Sequence, residues 1–142
     1  MTIAVDFDGT IVTHQYPAIG EEIPFAIESL IKLQKQGHKL ILWSVREGAL
    51  LEDAIAYCQR KGLVFYAVNK NYPEEETDHP NYSRKLQADI FIDDRNVGGM
   101  MDWGLIYRII SRGLTLNDLL SHVDHLAPTK KKKSFWSKLL GS

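Results

Sequence analysis

The chain predicts an α/β protein, a three-layer Rossmann-like open parallel sheet with helices on both faces. Three observations predict it. Short apolar runs alternate with longer segments whose apolar residues recur with a helical period. The helical segments stop at glycines, as at Gly37 and Gly62. Runs such as KLILW (Lys39–Trp43) are apolar throughout, as expected of strands covered on both faces of a parallel sheet.

The elements follow in order. Ile3–Phe7 reads as the first strand, and THQYPAIG (Thr13–Gly20) as a polar, proline-bearing loop. Pro24 opens a helix with apolar positions at Ile23, Ile27, Leu30 and Leu33. Lys39–Trp43 is the second strand, and a second helix runs from about Gly48 to Lys61. Leu63–Val68 is the third strand. Asn69–Tyr82 is acidic, carries two prolines and reads as a loop. Asp89–Asp93 is the fourth strand, and MDWGLIYRIISRG forms a helix. TLNDLLSHVDHL is a shorter final helix with Thr115 as N-cap.

The 142 residues suffice for one core-forming domain, read as residues 1–127, with a tail at 128–142. Composition is that of a globular protein, with 44% apolar and 25% charged residues. A net charge of -1 argues against a nucleic-acid-binding polycation. No apolar run is long enough to span a membrane, and no leader pattern precedes the first strand. The lone Cys58 excludes an intrachain disulfide and suits a reducing cytoplasm. It falls in phase with Leu51 and Ala54 on one helical face, which reads as core rather than as a nucleophile.

In parallel α/β sheets, ligands bind beyond the carboxyl ends of the strands. Strand one ends there in Asp6 and Asp8, strand two in Ser44 with Arg46 after it, strand three in Asn69 and Lys70, and strand four in Asp93 and Asp94. Four carboxylates on one rim repel unless a counter-charge sits among them. A hard divalent cation with oxygen ligands, Mg2+ first of all, supplies it. None of the five histidines stands at zinc spacing from a cysteine, and His122 and His125 read as surface residues. Mg2+ held by few carboxylates shares its shell with phosphate. Ser44, Thr10, the amides opening the second helix, Arg46, Lys70 and Lys85 are the candidate phosphate partners. A carboxylate can attack phosphorus while a second one handles protons, so Asp6 and Asp8 divide the roles of nucleophile and acid/base.

These motifs resemble those of the haloacid dehalogenase superfamily of phosphohydrolases. DFDGT (Asp6–Thr10) resembles its first motif, LILWS (Leu40–Ser44) its second, and IFIDD (Ile90–Asp94) its fourth. Lys85 is the best match to the lysine that precedes the fourth strand, with Lys70 as the alternative. The resemblance spans Ile3 to about Asn96. It implies that Asp6 is nucleophile and metal ligand, and that Asp8 is general acid/base and offers its backbone carbonyl to the metal. Ser44 and Lys85 hold the phosphoryl group, and Thr10 joins them by supporting the loop. Asp94 ligates Mg2+, with Asp93 beside it. Arg46 matches no motif position; it either faces substrate or pairs with Glu47 or Glu22.

Neither position at which the superfamily inserts a cap has room for one, so the resemblance implies a capless enzyme with an open site. The expected activity is a Mg2+-dependent phosphatase working through an aspartyl-phosphate. The alternative is a non-catalytic phosphate-binding or regulatory module. The expected partner is a phosphorylated small molecule or an exposed phosphate on a macromolecule; no nucleic acid is expected, and a homo-oligomer is compatible. The tail places Lys130–Lys133 before Phe135, Trp136, Leu139 and Leu140, which suits weak contact with an anionic membrane surface, a solubilising end or packing on another subunit.

Overall fold

The computed structural model describes residues 1–78, 80–115, 117, 118 and 121. The tail at 128–142, His122, His125 and most of the expected final helix lie outside the described residues. At its start, the Asp118 side chain accepts the Thr115 backbone N–H at 2.6 Å and the Thr115 hydroxyl accepts that of Asp118 at 3.3 Å, the reciprocal arrangement of a capping box.

The protein is an α/β fold of the Rossmann-like type. Four parallel strands, β1 (Thr2–Val5), β2 (Lys39–Leu42), β3 (Ala67–Val68) and β4 (Ile90–Ile92), form one sheet in the order β3-β2-β1-β4. Three helices, α1 (Ala26–Lys35), α2 (Gly48–Arg60) and α3 (Trp103–Arg112), connect or follow them. The register pairs Ile3 with Leu40 and Ile90, and Val5 with Leu42 and Ile92. Residues paired in this way point to the same face, so one side of the sheet is a continuous aliphatic surface.

All three helices cover that side. Ile27, Leu30 and Leu33 of α1, Ala54 and Cys58 of α2, and Trp103, Ile106 and Ile110 of α3 pack onto Ile3, Val5, Leu40, Leu42 and Ile92. The other side carries Ala4, Ile41 and Ala67, with Trp43 and Phe91 edge-to-face at 5.0 Å. Among the described residues its cover comes from Leu86 and Ala88, on the crossover between β3 and β4. That crossover holds Pro73 and Pro80 in an acidic run and contains no helix among the described residues, so this layer is irregular chain. Among the described residues no further domain is inserted between the strands.

Several boundaries differ from the sequence expectation. Helix α1 begins at Ala26 rather than Pro24, because Phe25 adopts the left-handed region at φ 67° and turns the chain first. The third strand shrinks to Ala67–Val68. Leu63 instead closes the end of α2, donating to the Cys58 carbonyl at 3.0 Å and burying its side chain. The Thr13–Gly20 loop is the tip of a short hairpin. Thr13 donates to the Glu21 carbonyl at 2.8 Å and Ile23 to that of Ile11 at 2.9 Å. Gly20 is required there, since a Cβ would lie 2.0 Å from the Thr13 carbonyl oxygen. No helix among the described residues is long and apolar enough to cross a membrane.

Candidate active site

Strand β1 is flanked by β2 and β4, and the chain reverses its direction of travel across the sheet there. Such a switch point leaves a crevice at the strands' carboxyl ends. A cavity of about 340 Å³ opens there. Asp6, Asp8, Ser44 and Asp93 line it, together with Trp43, Val45 and Arg95. His14 and Tyr16 join from the hairpin tip, so that loop forms a wall of the site.

Carboxylate oxygens of Asp6, Asp93 and Asp94 lie within 4.8 Å of one another. Local chain geometry brings them together. Beyond β1 the backbone coils into one helical turn, with Ile11 donating to the Phe7 carbonyl at 2.9 Å. Thr10 is fully buried in this turn. Its hydroxyl accepts the Asp94 backbone N–H at 3.1 Å and donates to Asp6 Oδ2 at 3.2 Å. One side chain therefore ties the first strand end to the fourth. Trp103, buried at the start of α3, donates its indole N–H to the Thr10 carbonyl at 2.9 Å and anchors the turn from below. Gly9, at φ 85°, leaves the space that the Asp94 carboxylate fills; a Cβ there would lie 2.2 Å from Asp94 Oδ2.

Two observations fit the triad to a cation. Asp94 Oδ1 is buried and has no hydrogen-bond partner among the described residues, which is costly unless something binds it. The donor set is all oxygen, which suits Mg2+ or another hard divalent ion. Burial pushes the Asp6 carboxyl up to about 6 from its ordinary 3.8; Asp93 and Asp94 add to the rise, while hydrogen bonds from Phe7 and Thr10 oppose it.

Asp8 has a different partner. Its two oxygens accept Arg46 Nε and Nη2, each at 2.7 Å, in a buried fork. Arg46 is fully buried. It also donates to the carbonyls of Pro17 at 2.9 Å and Ala18 at 2.8 Å and lies over the rings of Phe7 and Tyr16. Arg46 thus pairs with neither Glu22 nor Glu47; it locks Asp8 to the hairpin wall. Its backbone N–H donates to Ser44 Oγ at 3.2 Å, which leaves the Ser44 hydroxyl proton to point elsewhere.

Lys85 is exposed on the β3–β4 crossover and does not line the cavity; Lys70 does not line it either. Asn69 stands at a strand end, and nothing in the sequence marks its role. Its side-chain amide bonds the Ser44 backbone on both sides, accepting at 2.8 Å and donating at 2.9 Å. Asn tolerates the left-handed conformation it takes here, φ 52°. Trp103 was also missed; the signal available was that a buried indole must find an acceptor. Cys58 is fully buried in the core, and burial pushes its thiol up to about 12, which rules it out as a nucleophile.

A solved structure, described as that of a conserved protein coded by a locus from Bacteroides thetaiotaomicron, is 64% identical to this chain. The match covers 84% of this chain and 96% of that one, with a TM-score of 0.78. The chain belongs to the same family as that conserved protein. No family model and no curated protein matches it.

Gly9→Ala is expected to displace Asp94 with the fold retained by circular dichroism, and, if the triad holds Mg2+, to abolish the Mg2+ binding that titration calorimetry reads in wild type. The Asp6 carboxyl carries a second expectation. Folded, it keeps its proton up to about pH 6; unfolded, it releases it near 3.8. Between those values the folded state binds more protons, so in metal-free buffer its contribution makes stability fall as pH rises from about 4 to 6. Discounted for solvent screening, the loss is on the order of 1–2 kcal/mol. Asp6→Asn removes it, so urea unfolding at pH 7 without divalent ions should show the variant more stable than wild type by that amount.

Proposed function

We propose that this protein is a Mg2+-dependent phosphatase of the haloacid dehalogenase type, acting on a phosphate monoester through an aspartyl-phosphate on Asp6. The observation that carries the reading is the carboxylate triad with its orphaned Asp94 oxygen, set beside Asp8 and Ser44 in one cavity. The four DFDGT, LILWS, Lys85 and IFIDD matches support it from the sequence side. The lone buried Cys58 fits a reducing cytoplasm.

The residues divide the work as follows. An Asp6 oxygen attacks phosphorus, and the bond from phosphorus to the ester oxygen breaks. Asp8, protonated from solvent on the oxygen released from Arg46, passes that proton to the departing alkoxide and later takes one from the water that cleaves the acyl phosphate, which frees Asp6 and inorganic phosphate. For this, one Asp8 oxygen must leave the Arg46 fork, because both are occupied in the structure. The Ser44 hydroxyl, already accepting from Arg46 N–H, donates a hydrogen bond to a phosphoryl oxygen. Mg2+ on Asp6, Asp93 and Asp94 would neutralise charge on the phosphoryl oxygens. The open cavity of about 340 Å³ accepts a small ester without closure of a cap.

The occupied Asp8 fork favours one second reading, a phosphate-binding module without turnover. A panel of phosphate esters with Mg2+ separates the two. Wild type is expected to hydrolyse at least one member, and Asp6→Asn to lose at least about a thousandfold in kcat. Mg2+-dependent binding of inorganic phosphate with no turnover of any ester would support the binding module instead.

A further inference from the structure

We infer that Arg95 is the residue that meets the substrate's phosphate at the cavity mouth. The inference rests on the phosphatase reading above and concerns the same site.

The cavity wall is short of positive charge. Asp6, Asp8 and Asp93 line the cavity and Asp94 stands behind them in the triad. The Arg46 guanidinium also borders the site, but it is spent on Asp8 and on two hairpin carbonyls. A divalent cation on the triad still leaves one carboxylate charge unbalanced. A phosphate monoester arrives as a dianion, so it enters against a net negative wall unless another cation faces it. Arg95 faces it. Its side chain lines the cavity, is exposed, and makes no ion pair among the described residues.

Its backbone is held in place. Arg95 N–H donates to Asp93 Oδ1 at 2.8 Å, and the Asn96 amide donates to the Asp93 carbonyl at 2.7 Å. The turn that presents the Arg95 side chain is therefore fixed to the same strand end that presents Asp93 and Asp94. A guanidinium offers two parallel N–H donors to phosphate oxygens, which an ammonium does not. Lys85, the cation that the sequence motif suggests, does not line the cavity in this conformation.

Among the described residues the Arg95 side chain makes no ion pair, so Arg95→Gln should unfold at the wild-type temperature. The test is calorimetric titration of wild type, Arg95→Gln and Arg95→Lys with inorganic phosphate at saturating Mg2+, alongside KM and kcat for p-nitrophenyl phosphate. The expected result is a phosphate affinity about tenfold weaker in Arg95→Gln, a matching rise in KM with kcat changed less, and partial recovery in Arg95→Lys. Mg2+ affinity measured without phosphate should stay within about twofold of wild type. Wild-type binding with Arg95→Gln unchanged would overturn the Arg95 assignment and leave the phosphatase reading standing. Failure of wild type itself to bind phosphate with Mg2+ would overturn that reading, and the assignment with it.

Discussion

Three carboxylates with oxygens within 4.8 Å of one another repel, and the site depends on how the fold holds them there. Thr10 does most of it. Its hydroxyl accepts from the Asp94 amide and donates to Asp6, so a single buried group joins two strand ends far apart in sequence. Gly9 admits the Asp94 carboxylate to the space a Cβ would fill, and Trp103 fixes the Thr10 carbonyl from α3. Burial first, and the neighbouring Asp93 and Asp94 charges after it, hold the Asp6 carboxyl above its ordinary range.

Asp8 lies two residues from Asp6 and has the opposite environment. It is buried and matched by a buried arginine in bidentate geometry. Removing one partner of such a pair leaves an uncompensated buried charge, at a cost of about 3–5 kcal/mol. The same guanidinium binds the carbonyls of Pro17 and Ala18, so the hairpin wall carrying His14 and Tyr16 is tied to Asp8. Asp6 has no cationic partner among the described residues and Asp8 has a bidentate one, although both belong to one DFDGT segment. Two carboxylates in contrasting settings can take different roles.

Much of this was legible in the sequence. The parallel order of strands and helices followed from the apolar runs and the glycine stops. Asp6, Asp8, Ser44, Asp93 and Asp94 stood at strand ends, and the sheet brings them to one rim because parallel strands all end on the same side. What was not legible depends on contacts between distant segments. Arg46 had several acidic candidates nearby in sequence, and only the fold shows that Asp8, 38 residues away, takes it. The Thr10–Asp94 and Trp103–Thr10 bonds span 84 and 93 residues. Leu63–Val68 looked like a full strand because local propensity cannot see that Leu63 closes α2. Covering of the second sheet face by irregular chain was equally invisible, since Leu86 and Ala88 carry no periodic signal.

The central claim is that the Asp6 carboxylate becomes covalently phosphorylated. The most direct measurement is to quench a reaction of wild type with Mg2+ and a turned-over phosphate ester in acid, reduce with borohydride, and sequence the peptides by mass spectrometry. The account predicts homoserine at position 6, dependent on both substrate and Mg2+ and absent from other aspartates. Turnover with Asp6 unmodified, or with the reduced residue at Asp8, Asp93 or Asp94, would contradict it.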